Sequence, residues 1–361
     1  MNEVQTDLDP IPSAPAPGKF SDPAYVFVGA DGIRAGWGML IFVILAAVLA
    51  VGTNFIFAKI QHKPFPAKQS TTAPANAAPK EQSAKSAIIG EGGSFLVVIL
   101  VTFVMAKIER RPNARFGLGG THRIPQFLQG LAWGLVCLSF LVATLYFAGF
   151  LHFDGRLLAN AAALKYGLLW ALGFTLVGCL EEYLTRGYLQ YTLARGLAGL
   201  YGAFFHTRHR HALGFWTAAL VFSFLFGLGH KGNPGESPFG LLSAGLAGLV
   251  FCLALYRTGS LWWAIGFHAS WDWAQSFLYG VADSGTMVQG HLYATHPTGA
   301  PILSGGLTGP EGSILLIPAL AIAVAAILYT LPKTHHPGEH LTHPDLHRLV
   351  DQADVGRYLE G

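Results

Sequence analysis

The stretch that decides the reading of this chain is "WALGFTLVGCLEEYLTRGYLQ", residues 170–190. Eleven uncharged residues lead directly into Glu181, Glu182 and Arg186 inside one apolar, helix-length run. An ionised side chain at the centre of a membrane helix costs about 2.5–3.5 kcal/mol on insertion scales. The nine Leu, Phe and Val residues from Leu168 to Leu189 return only about 3–5 kcal/mol on the same scale. A helix of this sequence inserts poorly by itself, so the rest of the fold has to compensate. Polar groups retained at such cost inside a bilayer are usually functional.

The composition agrees that the solvent is a bilayer. Of 361 residues 52% are hydrophobic and 12% charged, about half the charged fraction of soluble domains. A net charge of +3 and the lack of any basic run interleaved with aromatics argue against a nucleic-acid surface. Cys137, Cys179 and Cys252 each sit in an apolar run without paired spacing and read as small buried hydrophobes. Residues 1–34 are Pro-rich and carry acidic residues; lacking a basic start and an immediate apolar core, they read as a flexible tail and not a secretory signal.

Runs long enough to span a bilayer, about 20 mostly apolar residues, fall near 35–58, 89–107, 126–150, 166–190, 213–231, 238–256, 259–280 and 312–331. The expectation is an all-α polytopic bundle of about eight spans, a transmembrane domain over 35–331 and a polar, His-rich tail over 332–361. No internal repeat is visible. Residues 67–86 form an Ala/Pro/Ser/Lys loop. The connections 107–123 and 195–211 are rich in Lys and Arg. The positive-inside rule therefore puts both of them, and both termini, in the cytoplasm, although 59–87 with its five lysines falls outside. The Ala- and Gly-rich composition suggests a bacterial inner membrane.

Within the deciding stretch, Glu182 and Arg186 are four apart with the acid first, the favourable order for a helical ion pair. Glu181 points about 100° away with no basic partner on its own turn, and a lone carboxylate facing a bundle interior is a usable general base. Other spans offer partners: "FSFLFGLGH" ends on His230, one turn after Phe226, and "HASWD" places His268 and Asp272 on one helix face. In this reading Asp272 orients the imidazole of His268 or shares a ligand with it. By the boundaries above, Glu181 lies toward the cytoplasmic end of its span and His230 near the opposite face, too far apart for a hydrogen bond.

These motifs have the order and spacing of a known family. "EEYLTR" fits EExxxR, "FGLGH" fits FxxxH, and "HASWD" fits HxxxN with Asp in the last place. Over roughly residues 126–285 the chain resembles the CAAX-protease and bacteriocin-processing (Abi) family of intramembrane endopeptidases, which includes the CAAX prenyl endopeptidase. The resemblance implies that Glu181 and His230 activate water, that His268 and Asp272 support the oxyanion or complete the site, and that Glu182, Arg186 and Phe226 support them. The substrate it implies is a membrane-associated peptide or protein.

Metal-free chemistry is expected. Zinc is the alternative, held by Glu181, His230, His268 and Asp272, though no HExxH is present. Asp272 replaces the family's usual Asn, and ionised Asp only accepts hydrogen bonds; it therefore suits holding a protonated His268 better than donating to an oxyanion. Neither a GxSG serine motif nor a GxGD aspartate motif occurs.

Thr185, Tyr188, Gln190 and Ser270 are candidates to line a water-filled cavity open to the cytoplasm, but read more simply as helix-contact polar residues. The histidines at 335, 336, 340, 343 and 347 belong to a solvated tail interrupted by Pro337 and Pro344, with metal sensing as the alternative. "HTRHRH" (206–211) suits lipid headgroups, and "SAGLAGLVF" (243–251) supplies small residues for close helix packing. The competing function is non-enzymatic: a bacteriocin-immunity-type binder or a proton-coupled carrier, since intramembrane acids and histidines also serve proton relays.

Overall fold

The computed structural model describes residues 26–29, 32–60, 81–120 and 122–332. The His-rich tail, most of the N-terminal segment and most of the Ala/Pro/Ser/Lys loop lie outside the described residues. Within them the chain is a helical bundle: α1 (Ala35–Ile60), α2 (Ala84–Ile108), α3 (Arg123–Phe147), α4 (Asn160–Tyr183), α5 (Gln190–Phe205), α6 (Arg210–Gly229), α7 (Pro238–Thr258), α8 (Trp262–Asp272), a short α9 (Pro301–Ser304) and α10 (Leu316–Thr330). Six runs are long and apolar enough to cross a membrane: 35–55, 84–108, 123–147, 160–205, 210–232 and 238–258. The two remaining segments expected to span are shorter helices, α8 with a π-helical extension over Trp273–Leu278 and α10.

Glycine sets how the helices meet. Gly130 and Gly134 of α3 lie so close to α8 that a Cβ on either would collide with the carbonyl oxygens of Trp263 and Phe267. The order of these contacts makes α3 and α8 parallel. Gly167 of α4 packs on Phe277, whereas Gly178 packs on Ile265 and His268, so α4 runs antiparallel to α8. Gly227 of α6 meets Leu241 and Gly245 of α7, and Gly248 of α7 meets Ser223 of α6. The small residues of 243–251 are thus what lets that antiparallel pair close. Large side chains fill the rest: Leu138, Leu141, Leu145, Trp263, Phe267 and Ala323 in one buried cluster, Phe42, Met105, Phe116, Tyr188, Phe215 and Ile265 in another.

The helix carrying the acidic pair differs from its expected boundaries. Past the expected end near residue 190 the chain stays helical: α4 passes through a π-helical turn at Leu184–Leu189, kinks at Gly187 (φ −80°, ψ −118°) and resumes as α5 to Phe205. The apolar periodicity fades after Gln190, yet Ala194 and Ala198 remain buried against Gly214 of α6; tertiary contact, not hydropathy, extends the helix. That packing also sets the α5–α6 register. The hairpin lies at 206–209 and His230 caps α6.

Among the described residues, six short strands dress the ends. β1 (Val28–Gly29) pairs with β2 (Gly32–Ile33), β3 (Glu81–Gln82) pairs in parallel with β5 (Met287–Val288), and β4 (Leu151–Arg156) pairs antiparallel with β6 (Tyr293–Pro297). The last two pairs lie at one end of the bundle. The opposite end gathers Ile33, Glu109, Gly117, Leu261 and Leu331: Arg195 donates to Ile33 O at 3.1 Å, Leu261 N to Gly117 O at 2.8 Å and Arg257 to Leu331 O at 2.7 Å.

Because Gly130 faces backbone rather than a flexible side chain, Gly130→Val forces α3 from α8 and is expected to cost about 1–3 kcal/mol. Thermal unfolding in detergent will show a lowered midpoint for this variant. Gly199→Ala, whose Cβ meets nothing within 4 Å, will leave the midpoint unchanged or slightly raised.

Candidate functional site

The buried centre is Glu182. Its side chain is fully enclosed, and its two carboxylate oxygens serve different partners: Oε2 lies 2.7 Å from Arg186 Nη1, and Oε1 accepts from His268 Nδ1 at 2.9 Å. The expected Glu182–Arg186 ion pair is present. The sequence reading gave Glu182 only the arginine as partner and missed the second contact. The aromatic rings of Phe226 and Phe251 sandwich the guanidinium, with centroids 4.8 and 5.3 Å from its carbon. Phe251 also stacks on the His268 ring at 5.6 Å. Phe226, in the FxxxH pattern, therefore packs on the arginine of the first motif and edge-on to both histidines, at 5.0 and 6.2 Å.

With Nδ1 committed to Glu182, His268 presents Nε2 to two carboxylates, Asp272 Oδ2 at 3.5 Å and Glu181 Oε2 at 3.7 Å. Asp272 is thus a neighbour of the free nitrogen. The residue that orients the ring is Glu182, which corrects the expectation that Asp272 does so. His230 donates Nδ1–H to Phe226 O at 2.9 Å, one turn back, which leaves Nε2 available. Glu181, His230, His268 and Asp272 all line one cavity of about 260 Å³. Thr185, Tyr188, Gln190 and Ser270 do not line it; they make helix contacts, such as Tyr188 to Glu109 and Cys252 to Gln190. Cys137 and Cys252 are buried, Cys179 is partly so, and all three are free.

Three acidic cavity residues were not singled out from the sequence: Glu91, Asp283 and Glu311. Glu91 is a lone acid early in α2, and the other two lie in the long connection between α8 and α10, where no motif spacing ties them to a site. Trp271 Nε1 donates to Glu311 Oε1 at 3.0 Å, Ser284 to its Oε2 at 3.1 Å, and Ser276 to Asp283 Oδ2 at 3.2 Å. Among the described residues, Asp272, Asp283 and Glu311 form the group able to hold a metal ion, with ligand oxygens all within 4.8 Å of one another. Of the four residues expected to bind zinc, only Asp272 belongs to it, and three hard oxygens suit magnesium, calcium or manganese better than zinc.

Asp283 lies outside the spans. Although part of its side chain faces the cavity, the protein packed around it, with the charges of Asp272 and Glu311, pushes its carboxyl well above the usual carboxylate range.

A polytopic helical membrane protein with an acid- and histidine-lined cavity between its spans is the class these features define. Residues 163–274 match the family model described as type II CAAX prenyl endopeptidase Rce1-like, and this segment of the chain is an Rce1-like domain. All of Glu181, Glu182, Arg186, Phe226, His230, His268 and Asp272 fall inside it, in agreement with the motif resemblance. No curated protein and no solved structure matches the chain. The family is one of CAAX proteases, and a hydrolase acting in the membrane is the class of activity it implies.

Two outcomes follow. Glu182→Ala strands a buried arginine and is expected to cost about 3–5 kcal/mol, whereas the double variant Glu182→Ala/Arg186→Met will recover much of that loss, as read from thermal midpoints. For Asp283, a folded-state pKa above the unfolded one means stability present while the group is protonated and lost as pH rises through the folded value. The wild-type midpoint will therefore fall toward alkaline pH more steeply than that of Asp283→Asn; parallel curves would contradict the assignment.

Proposed function

We propose that the protein is an intramembrane endopeptidase that hydrolyses a peptide bond of a membrane-associated substrate, with Glu181 as general base. The convergence of Glu181, His230, His268 and Asp272 on one cavity inside the Rce1-like segment carries this reading. Glu181 suits the base because its carboxylate is partly open to the cavity, with no ion pair along its own helix. It takes a proton from a water held between it and His230. The resulting hydroxide adds to the scissile carbonyl carbon, and protonated His268 donates from Nε2 to the developing oxyanion.

Glu181 then passes its proton to the leaving amine as the C–N bond breaks. Glu182 and Arg186 hold the imidazole in place, and Asp272 keeps His268 protonated. This chemistry needs no metal; a divalent ion at Asp272, Asp283 and Glu311 would be the alternative way to polarise the carbonyl.

The protein sits in a bacterial inner membrane in this reading, with both termini in the cytoplasm. The positions flanking the spans, Ile33 and Leu331, lie at the same end of the bundle as the basic connection 107–123.

The decisive assay is cleavage of a panel of membrane-associated peptides by purified protein in detergent. Glu181→Gln will lower turnover by about 10²–10⁴-fold without changing the thermal midpoint, and wild-type turnover will survive a chelator. Loss of turnover on chelation would move the chemistry to a bound metal. A folded wild type that cleaves nothing across the panel would point to the binder or carrier reading.

A further inference from the structure

Outside the spans, two strands bring together histidines that the peptidase chemistry does not use. β4 lies between α3 and α4, and β6 between α8 and α9. Their antiparallel register sets His152 directly opposite His296. The two imidazoles stack with centroids 5.4 Å apart and planes 21° from parallel, and both residues are exposed. Phe153 turns the other way, edge-on to Tyr146 and Tyr279 at 5.7 and 6.3 Å. Successive side chains of a strand alternate between faces, so the histidines stand on the face away from those rings.

The register shifts between Phe153 and Gly155, which leaves Asp154 with no residue opposite it. Its carboxylate turns instead to His296, whose Nδ1 lies 2.8 and 2.9 Å from the two oxygens. An ionised carboxylate only accepts, so Nδ1 carries the proton and, in the neutral ring, Nε2 carries the lone pair. A carboxylate behind an imidazole in this way fixes the tautomer of a metal-ligating histidine and raises its basicity. A surface ion pair would account for Asp154 and His296 but not for His152, because like charges directly opposite each other destabilise a sheet when both rings are protonated. None of the three residues lines the cavity.

We propose that His152 and His296 bind a divalent transition-metal ion of the copper, nickel and zinc class, with Asp154 as the outer carboxylate and water completing the shell. Imidazole nitrogen suits these ions, whereas the carboxylate oxygens of Asp272, Asp283 and Glu311 suit harder ones. Both rings are exposed and need only lean together at their tips to reach the about 2.0–2.1 Å of a zinc–nitrogen bond. The ion cross-links the α3–α4 connection to the connection 279–315, which carries Asp283 and Glu311 to the cavity. The site stands apart from the peptidase reading and does not depend on it.

The test is read residue by residue, because the tail holds five further histidines, at 335, 336, 340, 343 and 347, and total zinc uptake would sum over them. The purified full chain in detergent is treated with diethyl pyrocarbonate across a zinc chloride titration, and carbethoxylation of each histidine is followed by peptide mass spectrometry. Zinc is expected to protect His152 and His296 together, with one half-protecting concentration for both. In His296→Ala the protection of His152 disappears, and in His152→Ala that of His296 disappears, with the thermal midpoint in metal-free buffer kept. Asp154→Asn will raise the half-protecting concentration by about 10–100-fold. Should either alanine variant fail to fold, the shared half-protecting concentration in the wild type and its shift in Asp154→Asn decide the matter. No protection of the wild-type pair, different half-protecting concentrations for the two, or protection of one histidine that survives removal of the other overturns the proposal.

Discussion

Everything at this site depends on one buried carboxylate with two different partners. Glu182 is enclosed completely, and burying an ion costs several kcal/mol unless charge and hydrogen bonds compensate. Arg186 supplies the charge and His268 the hydrogen bond, so neither carboxylate oxygen faces apolar surroundings alone. Since Arg186 is one turn along the same rod and His268 belongs to α8, this single side chain ties the orientation of an imidazole to the geometry of another helix. The two phenylalanines enclosing the guanidinium complete the arrangement, because a cation between ring faces is partly compensated for the water it has lost.

The same economy explains the glycines. Helices in a bilayer gain nothing from burying apolar surface against one another, so close backbone approach and polar contact have to hold them together. The contacts of Gly130 and Gly134 with α8, and of Gly178 with the same helix one face away, press α3, α8 and α4 into a sheaf. That sheaf places His268 beside the acidic pair. A wider helix spacing would leave Glu182 without its imidazole, and π-helical turns directly follow both the acidic pair and Asp272, so both motif helices depart from regular winding just after their motif residues. On the cavity side, Trp271, Ser276 and Ser284 engage the outer carboxylates. The acidic wall is thereby built into the fold rather than left to solvent.

How much of this was legible in the sequence differs by residue. The apolar runs were legible because a bilayer demands about 20 apolar residues per span, and EExxxR, FxxxH and HxxxD were legible because helical spacing puts their members on defined faces. The pairing of Glu182 with Arg186 followed from that spacing alone. The true end of the long helix did not, because residues 191–205 are helical by virtue of Ala194 and Ala198 packing on Gly214, and hydropathy carries no signal for that contact. Glu91, Asp283 and Glu311 were illegible for a related reason: lone acids in an apolar helix or a loop have no periodicity, and only the folding of the 279–315 connection over α8 brings the last two to Asp272.

By itself, then, the sequence determined that the chain is a helical membrane protein, which residues are too polar to sit in its spans without function, and which of them share a helix face. These are local quantities, set by hydropathy and by 3.6 residues per turn. The tertiary structure decided what lies across from what: that Glu181 and His230 line one cavity, that Glu182 rather than Asp272 orients His268, and that Glu91, Asp283 and Glu311 join the same cavity. Such contacts join residues 40 to 140 positions apart, and their register is fixed by where backbones approach within a glycine's reach, which no local pattern encodes.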